Sequence, residues 1–318
     1  MSLEEKMEAA LWDDLPRADS FPAVRPLLAH YTSMAAFEGI VKSNEIWLSH
    51  PLYTNDWEEL RFGMTDCAQE LLFHDGIRDA CRTEEAHNKL VGLYDYYFKE
   101  FESKHAFDTY ALCLCSHDEE DKDGRLSMWR GYGDNGSGVA LVFDTTVIPL
   151  AEEPLLIVDR VVYLTREQRL GWVKHKLDMI AAAMSETALS EDDLSNVAYH
   201  WIERLKLFSL FTKHTGFHEE SEWRIVYMPD RDKNGLLTSM LSYEVSQKGV
   251  VPKLKLRIAP IPNVPSAELT LERLIHRIIL GPIASTAMAA KAVARMLVHA
   301  ERPLLAERIA PSSIPFRV

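Results

Sequence analysis

Apolar positions along this chain repeat with two periods, and the switches between them outline an alternating α and β pattern. Residues 27–31 and 46–49 carry strand spacing on either side of a helix over about 33–42. Asn55 and Glu58 stand at N-cap and N3 spacing, and Trp57, Leu60, Met64, Cys67, Leu71 and Leu72 continue as the apolar stripe of another helix. Residues 84–103 repeat the helical spacing through Leu90, Leu93, Tyr94, Tyr97 and Phe101, a core stripe. A short buried strand follows over 110–115, then a polar loop over 116–125, a helix over 126–132 and a strand over 138–143. Residues 155–163 read as one strand. Two long amphipathic helices come next, about 166–186 and 191–213, the second opened by Ser190 as N-cap. Strands near 224–228, 254–258 and 275–280, a helix near 285–299 and a final strand complete the chain. The expectation is one α+β domain over residues 1–318, with a helical insertion at about 165–215.

Composition narrows the function. The chain has 318 residues, 47% of them hydrophobic, enough for a large core. A formal charge of -13 and a pI near 5.4 disfavour a broad, nonspecific nucleic-acid surface, because each phosphate contact needs a cation. The first residues are acidic rather than signal-like, and no apolar run has the length of a membrane span, so a cytoplasmic protein is expected. The four cysteines, Cys67, Cys81, Cys113 and Cys115, are too irregularly spaced for a disulfide scaffold or a zinc knuckle. Cys113 and Cys115, two apart on a strand, share one face.

The segment with most chemical promise is Glu222-Trp223-Arg224-Ile225-Val226-Tyr227, in which a carboxylate opens a β-branched strand. Cleavage of a nicotinamide–ribose bond passes through an oxocarbenium-like state and needs ribose anchors, a flat surface and a carboxylate at the anomeric centre. His30 and Thr32 would hold ribose, Trp129 or Tyr132 would stack on nicotinamide, and Glu222 would stabilise the cation. Arg130 and Arg224 would meet the pyrophosphate. Each residue has a plainer role: His30 as a hydrogen-bonded core histidine, Trp129 and Tyr132 as packing, and Glu222 as the ion-pair partner of Arg224 along one strand face. Other chemistry is less well supported. His214 and His218 stand at a metal-ligand spacing, but Gly216 between them argues against a continuous helix, and no metal is predicted. The glycines at 131, 133, 136 and 138 follow a helix and precede a strand, the reverse of a phosphate-cradling loop.

The order of these pieces resembles the catalytic core of the poly-ADP-ribose polymerase-like ADP-ribosyltransferases. Residues 27–41, with His30-Tyr31-Thr32, look like the first-motif strand and helix. Residues 113–116, 126–132 and 138–143 look like the second-motif strand, aromatic helix and next strand, and Glu222 with its strand looks like the third motif. The chain departs from that pattern at Tyr31, where the polymerases carry glycine, and at Cys115-Ser116, where their tyrosine is missing. It also resembles an uncharacterised, mainly bacterial group, domain-of-unknown-function family 2971, through His30-Tyr31-Thr32, Asn55-Asp56-Trp57-Glu58, residues 126–132 and Glu222-Trp223-Arg224. The resemblance implies a split, mixed or antiparallel sheet and NAD as substrate, with Glu222 and His30 catalytic. His30, Thr32, Trp129, Tyr132, Arg130 and Arg224 would bind the dinucleotide. ADP-ribose would pass to an unknown acceptor (protein, nucleic acid or small molecule) in bacterial stress, toxin or phage-defence biology. The alternatives are an NAD glycohydrolase and a non-catalytic nucleotide-binding or protein-interaction module of the same fold.

Overall fold

The computed structural model describes residues 2–15, 17–51, 70–101, 103, 108–148, 150, 154–246, 249–259 and 269–316. The helix expected from Asn55, with its Asn55 and Glu58 capping pair, lies outside them, apart from its final turn at Leu71 and Leu72. In chain order the first elements are α1 (Leu3–Trp12), β1 (Leu27–Thr32), α2 (Met34–Ser43), β2 (Glu45–Ser49), α3 (Asp75–Cys81) and α4 (Glu84–Glu100). Then come β3 (Tyr110–His117), α5 (Leu126–Gly131), β4 (Val139–Asp144), β5 (Leu156–Arg160), β6 (Val162–Leu164), α6 (Arg166–Ser185) and α7 (Glu191–Leu210). The chain closes with β7 (Thr212–His214), β8 (Glu222–Tyr227), β9 (Leu241–Ser246), β10 (Gly249–Arg257), α8 (Leu271–Leu274), β11 (Ile275–Leu280), α9 (Ala287–His299), α10 (Pro303–Ala306) and β12 (Ile309–Pro311).

These elements divide into two compact units. One comprises residues 1–20, 50–109 and 161–218, so the long helices α6 and α7 group with α1, α3 and α4. The other comprises residues 21–49, 110–160 and 219–318 and holds the main sheet.

In the sheet unit β3 is the organising strand. One edge pairs with β8 from Tyr110↔Tyr227 to Cys115↔Glu222. A strand has only two edges, so β1 and β2 share the other: β1 meets its C-terminal part at Ala29↔Cys115, and β2 meets its start at Ser49↔Ala111. The sheet therefore forks along β3, with β4, β11 and β12 continuing beyond β1 and with β10 and β9 beyond β2. All these pairs are antiparallel except β11 with β12, so the sheet is mixed and the fold α+β. One face buries Leu28, Leu114, Leu141, Phe143, Trp223 and Ile278 under α2 and α9. The opposite face carries a smaller cluster of Ala29, Tyr31, Cys115, Met128, Trp129 and Val142.

The close approach of β4 to the end of β1 depends on a glycine. A Cβ on Gly138 would lie 2.1 Å from the Thr32 carbonyl oxygen, a backbone atom that cannot turn aside.

The helical unit buries Leu3, Met7, Leu177, Ile180, Val197 and Trp201 in one core. Helix α1 begins with a Ser2/Glu5 capping box. Its last carbonyls have no partners inside the helix and meet buried cations instead. Lys176 Nζ donates to the Ala10 carbonyl at 2.9 Å, and Arg204 Nε donates to the Leu11 carbonyl at 2.8 Å. Arg204 also holds both Asp14 carboxylate oxygens at 2.8 Å, and its guanidinium lies over the Trp12 and Trp172 rings. Lys176 pairs in addition with Asp13.

Two boundaries differ from the periodicity. The apolar run at 155–163 is two strands, because at Val161 the chain leaves β5, paired with β8, for β6, paired with β7. The helix expected to reach residue 213 ends at Leu210, and its last residues form β7. Strand β9 and helix α1 carry weak patterns and were not anticipated.

Two stability outcomes follow from these contacts. Gly138→Ala should lower the unfolding free energy by roughly 2–3 kcal/mol in urea denaturation, because backbone must move to admit the methyl. Burial alone would raise the Asp14 pKa, but the Arg204 charge and hydrogen bond hold it below its ordinary 3.8. Its stabilising contribution is therefore present above that value and lost as pH falls through the lowered one. Asp14→Asn should flatten the acid limb of the stability–pH curve measured by thermal melts.

Candidate functional site

Strand alternation decides which side chains share a surface. Glu222 pairs with Cys115, which pairs with Ala29, so all three lie on one face of the sheet. Tyr31 and Arg224, two residues along their strands, share it. His30 and Thr32 fall on the other face. The His30 ring stacks against Phe143 with centroids 6.5 Å apart, and its Nδ1 lies 3.3 Å from the Cys113 carbonyl. Burial, slightly offset by that contact, lowers the His30 pKa and favours the neutral ring.

Glu222 is 2% exposed and Arg224 4%. Arg224 Nε donates to Glu222 Oε1 at 2.6 Å, and a terminal guanidinium nitrogen donates to Oε2 at 3.2 Å. Both carboxylate oxygens are thus engaged by one cation on the same strand face. The residue before Glu222, Ser221, takes a positive φ of 42°, uncommon outside glycine, and its carbonyl accepts from the Ser116 N–H at 2.9 Å. That turn sets Glu222 at the first position of β8.

Trp129 is fully buried. Its Nε1 donates to the Asp123 carbonyl at 2.9 Å, and its ring meets Tyr31 edge-on at 4.7 Å. It is part of the core and presents no open stacking face. Tyr132, three residues on, is 39% exposed and donates its hydroxyl to Glu220 Oε1 at 2.9 Å. Arg130 is exposed, with its guanidinium over the Phe316 ring. The expected cleft gathering His30, Trp129, Tyr132 and Glu222 is not formed: Glu222 is closed by Arg224, Trp129 by its own packing, and His30 faces away.

The structure adds residues that motif reading passed over. The Tyr31 hydroxyl accepts from the Arg125 N–H at 2.8 Å, and the Arg125 guanidinium donates to the Glu219 carbonyl at 3.0 Å. Arg125 thereby ties Tyr31 to the segment that delivers Glu222. Burial pushes the Tyr31 hydroxyl well above its usual range and the Cys115 thiol up to about 12, so both stay protonated at neutral pH. Cys115 is therefore a packed thiol, not a nucleophile. The only hint in the sequence was Tyr31 itself, a large residue where the transferases carry glycine.

His214 and His218 turn back on their own segment: His214 Nδ1 accepts from the Gly216 N–H at 3.1 Å, and His218 Nδ1 lies 3.1 Å from the Thr215 carbonyl. Among the described residues no group of three or more His, Cys, Asp or Glu side chains is arranged to hold a metal ion, and no helix is long and apolar enough to cross a membrane.

A family model described as a protein of unknown function (DUF2971) matches residues 128–225, a span running from α5 through Glu222 and Arg224. No curated protein and no solved structure matches the chain.

The ion pair makes a direct prediction. Glu222→Gln removes the carboxylate charge from this buried pair and should cost about 3 kcal/mol of stability in urea denaturation. Glu222→Leu combined with Arg224→Met should recover most of that loss. A double variant as unstable as the single one would mean that the pair is not the main electrostatic contact of either residue.

Proposed function

We propose that this chain is a nucleotide-recognition module that binds without turnover. The reading rests on one observation: the Glu222 carboxylate, the best catalytic candidate in the sequence, is buried and held at both oxygens by Arg224. A carboxylate that stabilises an oxocarbenium ion has to reach the anomeric carbon, and this one would first have to give up its guanidinium partner. His30, the expected ribose anchor, lies on the far face of the sheet. At the end of α5 the exposed Tyr132, bonded to Glu220, would stack on a base, and the exposed Arg130, over the Phe316 ring, would meet a pyrophosphate.

A second reading, ADP-ribose transfer from NAD to a separate acceptor, draws on a different observation. Ser221 holds a strained conformation next to a costly buried ion pair, and such strain concentrates at working sites. The fork of the sheet at β3 and the order of the motif strands along it support an ADP-ribosyltransferase-like core for either reading. Hydrolysis of NAD would use the same residues with water as acceptor.

Titration calorimetry with NAD and ADP-ribose, alongside a nicotinamide-release assay in the presence of cell lysate, separates the readings. Binding without nicotinamide release is expected, weakened about tenfold by Arg130→Ala or Tyr132→Ala. Release that Glu222→Gln abolishes would replace recognition with transfer or hydrolysis, and the destination of labelled ADP-ribose would choose between those two.

A further inference from the structure

The helical unit carries a row of aromatic rings at the rim of its core, against which the middle ring, Tyr97, packs. Tyr96, on α4, is 56% exposed, and Tyr199, on α7, is 47% exposed. The half-buried Tyr97 ring lies between them, 5.3 Å from Tyr96 and 5.7 Å from Tyr199, with an edge-to-face angle at each contact. His200 extends the row at 5.5 Å from Tyr199. The Tyr97 hydroxyl shares a hydrogen bond of 2.8 Å with Ser195 Oγ, so the middle ring is pinned across the two helices. One turn before Tyr96 stands Gly92, exposed in mid-helix. A Cβ placed there would touch nothing within 4 Å, so the position opens onto free space. Glycine costs a helix about 1 kcal/mol relative to alanine, so nothing in the helix itself accounts for it.

Charge identifies the occupant. The segments forming this unit hold 26 Asp and Glu against 15 Lys and Arg, a formal charge of -11, whereas the sheet unit holds 22 against 20, or -2. Nearly all the net charge of the chain therefore sits on the unit with the aromatic row. Its surface is more negative still, because Arg169, Lys176, Arg204, Lys206 and Lys213 are buried. Asp95, exposed beside Tyr96, pairs with Lys99 at 2.6 Å, and Asp192 is exposed two turns before Tyr199 on α7. Tyrosine faces in a negative field attract guanidinium and ammonium groups and repel phosphate, which excludes a nucleic acid as the occupant.

We infer that the Tyr96–Tyr97–Tyr199 face of the helical unit is a docking surface for an arginine-rich segment of another protein, with guanidinium groups stacked on the exposed rings and steered by the surrounding acids. Arginine fits better than lysine because its planar, weakly hydrated head stacks on an aromatic face. The inference uses none of the residues of the nucleotide reading and stands or falls separately from it.

The full chain should be titrated by fluorescence anisotropy with a labelled peptide of alternating Arg and Gly, with its Lys–Gly counterpart, and with a Glu–Gly control. The Arg peptide should bind, more tightly than the Lys peptide, while the Glu peptide should not. Tyr96→Ala with Tyr199→Ala should weaken Arg-peptide binding about tenfold, with unchanged helical circular dichroism. Gly92→Gln, which adds a bulky side chain one turn before Tyr96, should weaken it in the same direction. Equal binding of the Arg and Lys peptides, unaffected by the tyrosine changes, would reduce the effect to bulk charge and overturn the proposal. So would the absence of Arg-peptide binding. Sedimentation showing that the face instead mediates self-association, lost in the double variant, would overturn it in favour of a second copy of this chain.

Discussion

The register of β3 is the constraint on which the sheet unit depends. Its pairing with β8 on one edge and with β1 on the other passes through Cys115, which stands opposite both Glu222 and Ala29. Once that row is set, alternation assigns every neighbour: Tyr31 and Arg224 go to the Glu222 face, while His30, Leu114 and Trp223 go to the main core. A one-residue slip in β1 would exchange Tyr31 for His30 beside Glu222. The aliphatic residues Leu28 and Leu141, which fill the main core, resist that slip, because it would turn Leu28 out of the core. Packing of large apolar side chains thus fixes which polar residues can meet.

The ion pair on β8 is the energetic exception in this sheet. Burying a carboxylate and a guanidinium costs several kcal/mol per ion, and a matched apolar pair would often be as stable. Its two hydrogen bonds and its position at the sheet fork offset part of that cost, but they do not explain why the pair is there. The helical unit handles the same problem differently. Lys176 and Arg204 are also buried, yet each caps carbonyls at the end of α1 as well as meeting a carboxylate, so structure alone accounts for them. The contrast sets Glu222–Arg224 apart as a buried pair whose two members sit on one strand.

Much of the secondary structure was legible. The strand–helix–strand run of β1, α2 and β2 follows the apolar spacing closely, and Ser190 caps α7 where the sequence places it. The α+β class followed from the alternation of periods. What was not legible were properties set by pairing rather than spacing. A continuous apolar run at 155–163 conceals a change of partner at Val161, and only the pairing reveals it. Helix α1 was missed because its apolar residues, Leu3, Met7 and Leu11, sit among glutamates and read as an acidic terminus. Trp129 and Tyr132, three apart, suggested one shared surface, but the helix ends between them: Trp129 turns into the core and Tyr132 out to solvent. The candidate site was legible as a set of residues and not as a geometry, since whether His30 and Glu222 meet depends on a register that no local pattern encodes.

The uneven charge of the two units bears on how a chain of this composition should be understood. A value of -13 for the whole sequence suggests a uniformly acidic surface that repels nucleotides. The sheet unit, at -2, is close to neutral, and it carries Arg125 and Arg130 beside Tyr132. An anionic ligand approaching that surface meets little repulsion from the unit that holds the site, while the acidic excess resides with the tyrosine face of the helical unit. Whole-chain charge is therefore a poor guide to the charge that either unit presents.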